Sequence, residues 1–348
     1  MLEITTTRHN PLIDPQLAVW SWEIPVYLFF GGLVAGMMVL AGMAMLRVAR
    51  GDSGRDFFSM QTPLLGFMLL NLGMLALLLD LTHRLYVWRI YMTVQPTSPM
   101  SWGSWVLIIV YGVLLVSALI RLHEAWPWLG RKVPALSRWS DAITGHPGYL
   151  RALAWANIGL GVGLGIYTGI LLNTMVARPL WNTAILGPLF LFSGLSAGAA
   201  AVHLSGVLLR RSPAPQGMLL GAVGAMIQPL APERPERGTM DGLIRYDVAF
   251  LAVELVLIGL LLISLFTSTE SHAVAGRLIT SGPYALAFWG IIVVAGVLVP
   301  IALQVLELRH TIPHTVLPAV LVLIGGFTLR WVMVNAGQMS QLVASPGL

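Results

Sequence analysis

The chain has 348 residues, of which 57% are apolar and only 10% charged, with a formal net charge of +5 and no cysteine. A soluble domain carries about twice that charge fraction, so a water-soluble globular fold is excluded, and the missing cysteines exclude disulfides, thiolate catalysis and any cysteine-held iron–sulfur cluster within this chain. The basic excess does not mark a nucleic-acid partner: the arginines lie in short loops between apolar runs, where they act as topology signals in a lipid bilayer.

The polar start, residues 1–19, runs into an apolar stretch too long for a cleavable signal peptide. Eight runs long enough to cross a bilayer then follow, over about 22–47, 62–88, 102–124, 151–175, 183–210, 243–267, 283–308 and 313–335, which predicts an all-α polytopic membrane protein. Span 1 opens with Glu23 and Tyr27, one helical turn apart and on one face. Span 2 closes with "LLLDLTHRLYVWR", where Asp80, His83 and Arg84 stand at i, i+3 and i+4 and so are expected on one face. "PTSPMSWGSW" (96–105) follows, read as a tight cap whose Trp102 and Trp105 are interfacial anchors, each with an indole N–H available to a head group. Tyr167 and Asn173 lie near the end of span 4. The longest connection, 211–242, carries prolines that forbid a regular helix, and its apolar piece Met218–Ile227 is too short to span. Span 6 holds Asp247 and Glu254 on one face, and span 8 carries Arg330, Asn335 and Gln338.

The Lys and Arg residues choose a side. The loops after spans 1, 3, 5 and 7 hold fourteen of the twenty, against five on the other side (Arg8, Arg84, Arg89, Arg178, Arg277), with Arg330 inside span 8. By the positive-inside rule both termini face away from the cytoplasm. In a bacterial inner membrane that is the periplasm, and "PTSPMSWGSW" lies there.

The halves echo each other. "PVYLFFGGLVAG" from Pro25 and "PLFLFSGLSAG" from Pro188 each place Leu three and Phe four residues after the proline, and Arg47 and Arg210 each follow by 22. "GIYTG" of span 4 and "GGFTL" of span 8 match as Gly-x-aromatic-Thr. The spacing of four spans predicts two four-helix units in tandem, with the same orientation. Tyr27 and Tyr167 correspond to Phe190 and Phe327, so only the first half keeps hydroxyls, and a polar site is expected there.

Ionisable groups in hydrocarbon need partners or a function. Glu23, Tyr27, Asp80, His83, Tyr167 and Arg330 are expected in one layer near the outer ends. Two readings stand for each: a functional pocket, or structural neutralisation in which Asp80 pairs with Arg84 or Arg330 and the aromatics form a belt. Asn71, His203, Asp247 and Glu254, with Gln304 and Glu307, run deeper, either as a proton path or as interhelical hydrogen bonds. His123, His203, His310 and His314 near the opposite ends leave a haem b anchor open, and midplane acids in duplicated bundles leave a secondary transporter open. No metal cage is readable.

In order along the chain, "WSWEIPVYLFFGGLVAG", "LDLTHR", "PTSPMSWGSW", "GIYTGILL", "PLFLFSGLSAG" and "LRWVMVNAGQ" resemble the NrfD/PsrC-type integral membrane subunit of polysulfide reductase and related complexes. The resemblance implies a haem-free subunit of two four-helix bundles (22–175, with a quinone pocket, and 176–335, with 211–242 as a cytoplasmic loop), flanked by periplasmic segments 1–21 and 336–348. It implies exchange of electrons between menaquinone or ubiquinone and a ferredoxin-like 4Fe–4S partner subunit, beyond which a molybdopterin subunit often lies. The family's pocket maps onto the start of span 1 and the end of span 4. Tyr167 matches its span-4 tyrosine and Asp80 and His83 its span-2 stretch, whereas Tyr27 stands in place of a histidine and Ile24 in place of a polar amide. On this reading Tyr27, Tyr167 and His83 hydrogen-bond the quinone head group, Asp80 and His83 pass protons, Arg84 or Arg330 stabilises negative charge, Glu23 and Trp102 line the pocket, and Asn71, His203, Asp247 and Glu254 feed protons from the other side.

Overall fold

The computed structural model describes residues 20–51, 57–120, 127–208 and 237–343. The chain start up to residue 19, most of the 211–242 connection including Met218–Ile227, His123 and the last five residues lie outside the described residues. Among those described there is no strand, and eight helices are long and apolar enough to cross a membrane.

Span 1 is α1 (Glu23–Val48) and span 2 is α2 (Phe57–Asp80). A 3-10 turn (Arg84–Tyr86) and α3 (Trp88–Met92) lead to span 3, α4 (Pro99–Leu119). Two short helices, α5 (Pro127–Lys132) and α6 (Pro134–Thr144), precede span 4, α7 (Pro147–Asn173). Span 5 is α8 (Leu186–Leu208) and span 6 is α9 (Arg237–Thr267), followed by α10 (Glu270–Thr280). Span 7 begins as a π-helix (Leu286–Leu298) and continues as α11 (Val299–Leu308), the change falling beside Pro300; span 8 is α12 (Leu317–Met339). Helices α4, α6 and α7 open on proline, whose fixed φ suits the first helical position and whose missing N–H has no partner there anyway.

Two of the boundaries that differ from those expected bear on the polar residues. Span 6 starts at Arg237, two positions past Pro235, so six residues read as loop are helical. Span 2 ends at Asp80 rather than 88. His83 sits at φ −114°, ψ 69°, outside the helical region, and the Arg84 guanidinium donates to the Leu79 carbonyl at 2.8 Å. That satisfies one of the acceptors a helix end leaves open, so the chain can turn without burying an orphan.

The spans are apolar all round, and lipid supplies no hydrophobic drive between them, so small residues decide the packing. In α1 and α8, 83% and 89% of the apolar window is buried, against 28% for Met240–Thr267 of α9, which puts the two motif-matched spans at the centre. They cross backbone to backbone: a Cβ on Gly194 would lie 2.6 Å from the Gly32 carbonyl oxygen, and one on Gly36 would fall on the carbonyl of Gly194. Around this crossing, α1 packs on α2 and α7, with α4 joining those two; α8 packs on α9 and α12, with span 7 joining them; and α7 on α8 and α1 on α12 complete the seam.

Candidate functional site

The start of α1 and the end of α12 lie at one face, the face expected to be outer, because Trp20 and Gln338 exchange two hydrogen bonds of 2.9 Å between the Trp20 backbone and the Gln338 amide. At this face the two halves differ. In the first half, Tyr27 comes within electrostatic reach of Tyr167 and Tyr91, and Asp80 within reach of Glu23. Glu23 Oε2 is buried with no hydrogen-bond partner. Tyr91 lies outside the spans, on α3, and burial pushes its phenol up from the ordinary value, keeping it a neutral donor. Tyr91 is not among the residues the sequence points to; with α2 stopping at Asp80, α3 brings it within electrostatic reach of Tyr27.

The expected single face of Asp80, His83 and Arg84 does not form, since α2 ends at the first of them. His83 and Arg84 are exposed; the His83 ring lies 6.4 Å from that of Tyr86, and Arg84 is bound to Leu79. Nor does Asp80 pair with Arg84 or Arg330 among the described residues, because both guanidinium groups are committed to other oxygens.

"PTSPMSWGSW" is the start of α4 and the turn before it, and its residues are consumed by local bonds. Ser101 Oγ accepts from the Gln95 N–H at 3.0 Å and donates to the Thr93 carbonyl at 3.2 Å, while Ser104 Oγ donates to the Ser101 carbonyl at 2.8 Å. The Trp102 indole donates to the Pro96 carbonyl at 2.6 Å, so the free N–H expected for a head group is already used. Trp102 and Trp105 remain about half exposed as anchors. Gly103 has the most specific role: a Cβ there would land on the Tyr167 hydroxyl, so the glycine makes the space in which that phenol stands.

The second half closes its outer face. Trp181 donates to the Met333 carbonyl at 2.7 Å and its ring lies 5.3 Å from that of Trp20. Arg178 binds the Gln338 and Ser340 carbonyls at 2.9 and 2.8 Å, and Asn335 is spent on the Trp331 carbonyl. Beneath this lid runs a buried polar string. Arg330, expected in the outer layer, is fully buried: Nη1 donates to Ser193 Oγ and the Gly326 carbonyl at 2.8 Å, Nη2 to the Phe190 carbonyl at 3.1 Å, and the cation stands 5.2 Å from the Phe190 ring. Ser193 also hydrogen-bonds Glu254, which feels the Arg330 charge. Asp247 accepts from Ser196 at 2.7 Å and Gln304 at 2.6 Å. Glu307 accepts twice from Thr315 at 2.9 Å and faces His314 at 3.6 Å; the other His314 nitrogen is 3.3 Å from Asp241. Buried His203 lies within reach of Glu307 and His314. With both nitrogens facing carboxylates, His314 is poorly placed as an axial ligand. Asn71 does not join the string: it is exposed, bonded to the Phe67 carbonyl and to Tyr111. Among the described residues no cluster of three or more His, Asp or Glu could hold a metal ion.

The fold and these two polar regions define a multi-pass helical membrane protein with interior protonatable groups. The family model for polysulphide reductase, NrfD, matches residues 10–342, and the chain belongs to the NrfD family. It is 30% identical over 329 residues to a component chain of the polysulfide reductase of Wolinella succinogenes, covering 92% of this chain and 94% of that protein. To protein NrfD of Escherichia coli it is 34% identical over 197 residues, 56% of this chain and 61% of that one. To a subunit of the selenate reductase of Mesobacillus selenatarsenatis it is 26% identical over 208 residues, 52% and 46% of the two chains.

Proposed function

We propose that the chain is the membrane subunit of a respiratory oxidoreductase complex, and that a menaquinone or ubiquinone head group binds in the outer layer of its first half. Relatives named as components of polysulfide reductase and selenate reductase support the subunit role. The observation that carries the quinone reading is the grouping of Tyr27, Tyr91 and Tyr167 beside Asp80 and Glu23, whose Oε2 is buried and unpartnered. Buried polar atoms are normally satisfied, so this layer has hydrogen-bonding capacity reserved for something else. A quinone supplies two-electron, two-proton chemistry when bound, and electrons pass to a 4Fe–4S subunit docked at the periplasmic face, with a molybdopterin subunit beyond. The chain's own residues do the rest: Tyr27 and Tyr167 donate to the head-group oxygens, and Asp80 holds and passes a proton. His83, exposed beyond the helix end, hands it to water. Arg84 adds positive charge at the rim, while Arg330 belongs to the inner string.

The packing of α1 with α2, α4 and α7, and of α8 with α9, span 7 and α12, supports two four-helix units, 22–175 and 176–335. The arginine count supports chain ends facing the periplasm and an inner-membrane location. The string Asp241–His314–Glu307, Gln304–Asp247–Ser196 and Glu254–Ser193–Arg330 supports a proton route in the second unit. Replacing Asp80 by Asn and, separately, Glu254 by Gln tests both parts: unchanged quinone-linked turnover in the first removes the donor, and undiminished membrane potential per turnover in the second removes the route.

A further inference from the structure

Helix α11 ends in a turn that brings the following loop back over it. His310 takes φ +55°, the left-handed region, and the N–H groups of His310 and Thr311 donate to the Glu307 and Leu306 carbonyls at 2.9 and 3.0 Å. This is the pattern by which a helix C-terminus satisfies its last acceptors. It returns Thr315 to Glu307, where the Thr315 N–H and hydroxyl both donate to Oε1 at 2.9 Å. Oε1 is thereby fixed. Oε2, buried with no hydrogen bond, is the oxygen that faces His314 Nδ1 at 3.6 Å. The other ring nitrogen, Nε2, stands 3.3 Å from Asp241 Oδ1 near the start of α9.

Exposure falls in one direction across these three side chains. Asp241 and His314 keep 19% and 28% of their side-chain surface in contact with solvent, and Glu307 keeps none. His314 lies outside the spans, in the loop between α11 and α12, so it meets water on one side and a buried acid on the other. His203 of α8, also buried, is within electrostatic reach of both Glu307 and His314. We propose that His314 is the residue through which the polar string of the second half exchanges protons with water at the arginine-rich face. This role builds on the proton route proposed above and names its entrance. A neutral imidazole has one N–H and one bare nitrogen. With the hydrogen on Nδ1, the ring takes a proton at Nε2, on the Asp241 side, and gives the Nδ1 proton to Glu307 Oε2. It is cationic only between the two steps, and a half-turn of the ring resets it.

The test uses the full-length chain with whatever subunits accompany it, in sealed vesicles, and reads the membrane potential generated per quinone turned over. His314→Ala should lower it to the level of Glu254→Gln. Imidazole added to His314→Ala should restore it, because the free base carries a proton across the gap the side chain leaves. Pyrazole, of the same size but too weak a base to hold the proton, should not. His314→Gln keeps a hydrogen-bonding side chain that carries no proton, so it should lose the potential as His314→Ala does while melting closer to the unaltered chain. Full potential in His314→Gln, or rescue that is absent or equal with pyrazole, would make His314 a tie between α9 and α11 and overturn the relay. Undiminished potential in His314→Ala when Glu254→Gln has lost it would also overturn the relay, and leave the route with another entrance. Undiminished potential in both variants would overturn the route and the relay together.

Discussion

The outer layer of the first half and the inner string of the second contain the same kinds of residue and treat them differently. In the string each charged group has protein partners, Arg330 in Ser193 and two carbonyls, Asp247 in Ser196 and Gln304, Glu307 in Thr315, although Arg330 Nε, Gln304 Oε1, Glu307 Oε2, Asp241 Oδ1 and His203 Nε2 are buried without a hydrogen bond. In the outer layer the phenols of Tyr27 and Tyr167 have no hydrogen-bond partner among the described residues, and Glu23 Oε2 is buried with none. The motif match sharpens the contrast. At the position matched to Tyr27 stands Phe190, whose ring and carbonyl serve Arg330. Side chains tied to one another fix a structure, whereas phenols and a carboxylate with no protein partner are open to a ligand or a proton.

The largest effect is expected where a charge is fully buried. Arg330→Met leaves Glu254 buried without its counter-charge, a loss of about 3–5 kcal/mol, read as reduced folded protein in membranes and a lower melting temperature. Adding Glu254→Leu should recover most of it, because replacing both members of a buried pair by apolar groups is often neutral. If the double variant is no better than the single one, Arg330 and Glu254 are not partners and the string is broken at its centre.

Asp80→Asn should do the reverse: little change in stability, since no cation depends on Asp80, and a loss of roughly a hundredfold in quinone-linked turnover, the scale of one general acid–base group. A melting temperature that falls with turnover would make Asp80 structural and erase the distinction between the two regions.

That distinction is only partly legible in the sequence. The eight spans are, because an apolar run of twenty residues has few alternatives in a bilayer, and the matched prolines and glycines point to the two central helices. What escapes depends on atoms distant in sequence or on where a helix stops. The shared face of Asp80, His83 and Arg84 requires a helix through Thr82, and the Arg84 bond to Leu79 ends it. A free indole on Trp102 requires no acceptor six residues back, and Pro96 supplies one. Span limits ending at 335 put Arg330 in the outer layer, whereas α12 runs to Met339, placing the residue further inside. Depth alone puts Asn71 in the interior, although its face of α2 is exposed.

A smaller effect separates position from chemistry within the outer layer. Tyr167→Phe removes one hydroxyl and should reduce turnover about tenfold, near the value of one hydrogen bond to a developing charge. Gly103→Ala leaves the hydroxyl in place but puts a methyl group where it stands, so it should reproduce the Tyr167→Phe loss; activity retained in Gly103→Ala would mean that the phenol can move without consequence.

The smallest effect concerns the closed outer face of the second half. Gln338→Leu removes both bonds to the Trp20 backbone, at about 1 kcal/mol each, part of which water repays at a partly exposed site. The expected result is a modest fall in melting temperature with turnover intact, because Trp20, Trp181 and Arg178 lie on the second half, away from the phenols of Tyr27 and Tyr167. Turnover falling as steeply as in Asp80→Asn would mean that the lid also shapes the first-half pocket through the start of α1, where Trp20 precedes Glu23 by three residues. The outer faces of the two halves would then work as one surface, and the contrast between an open and a closed end would describe a single site seen from two sides.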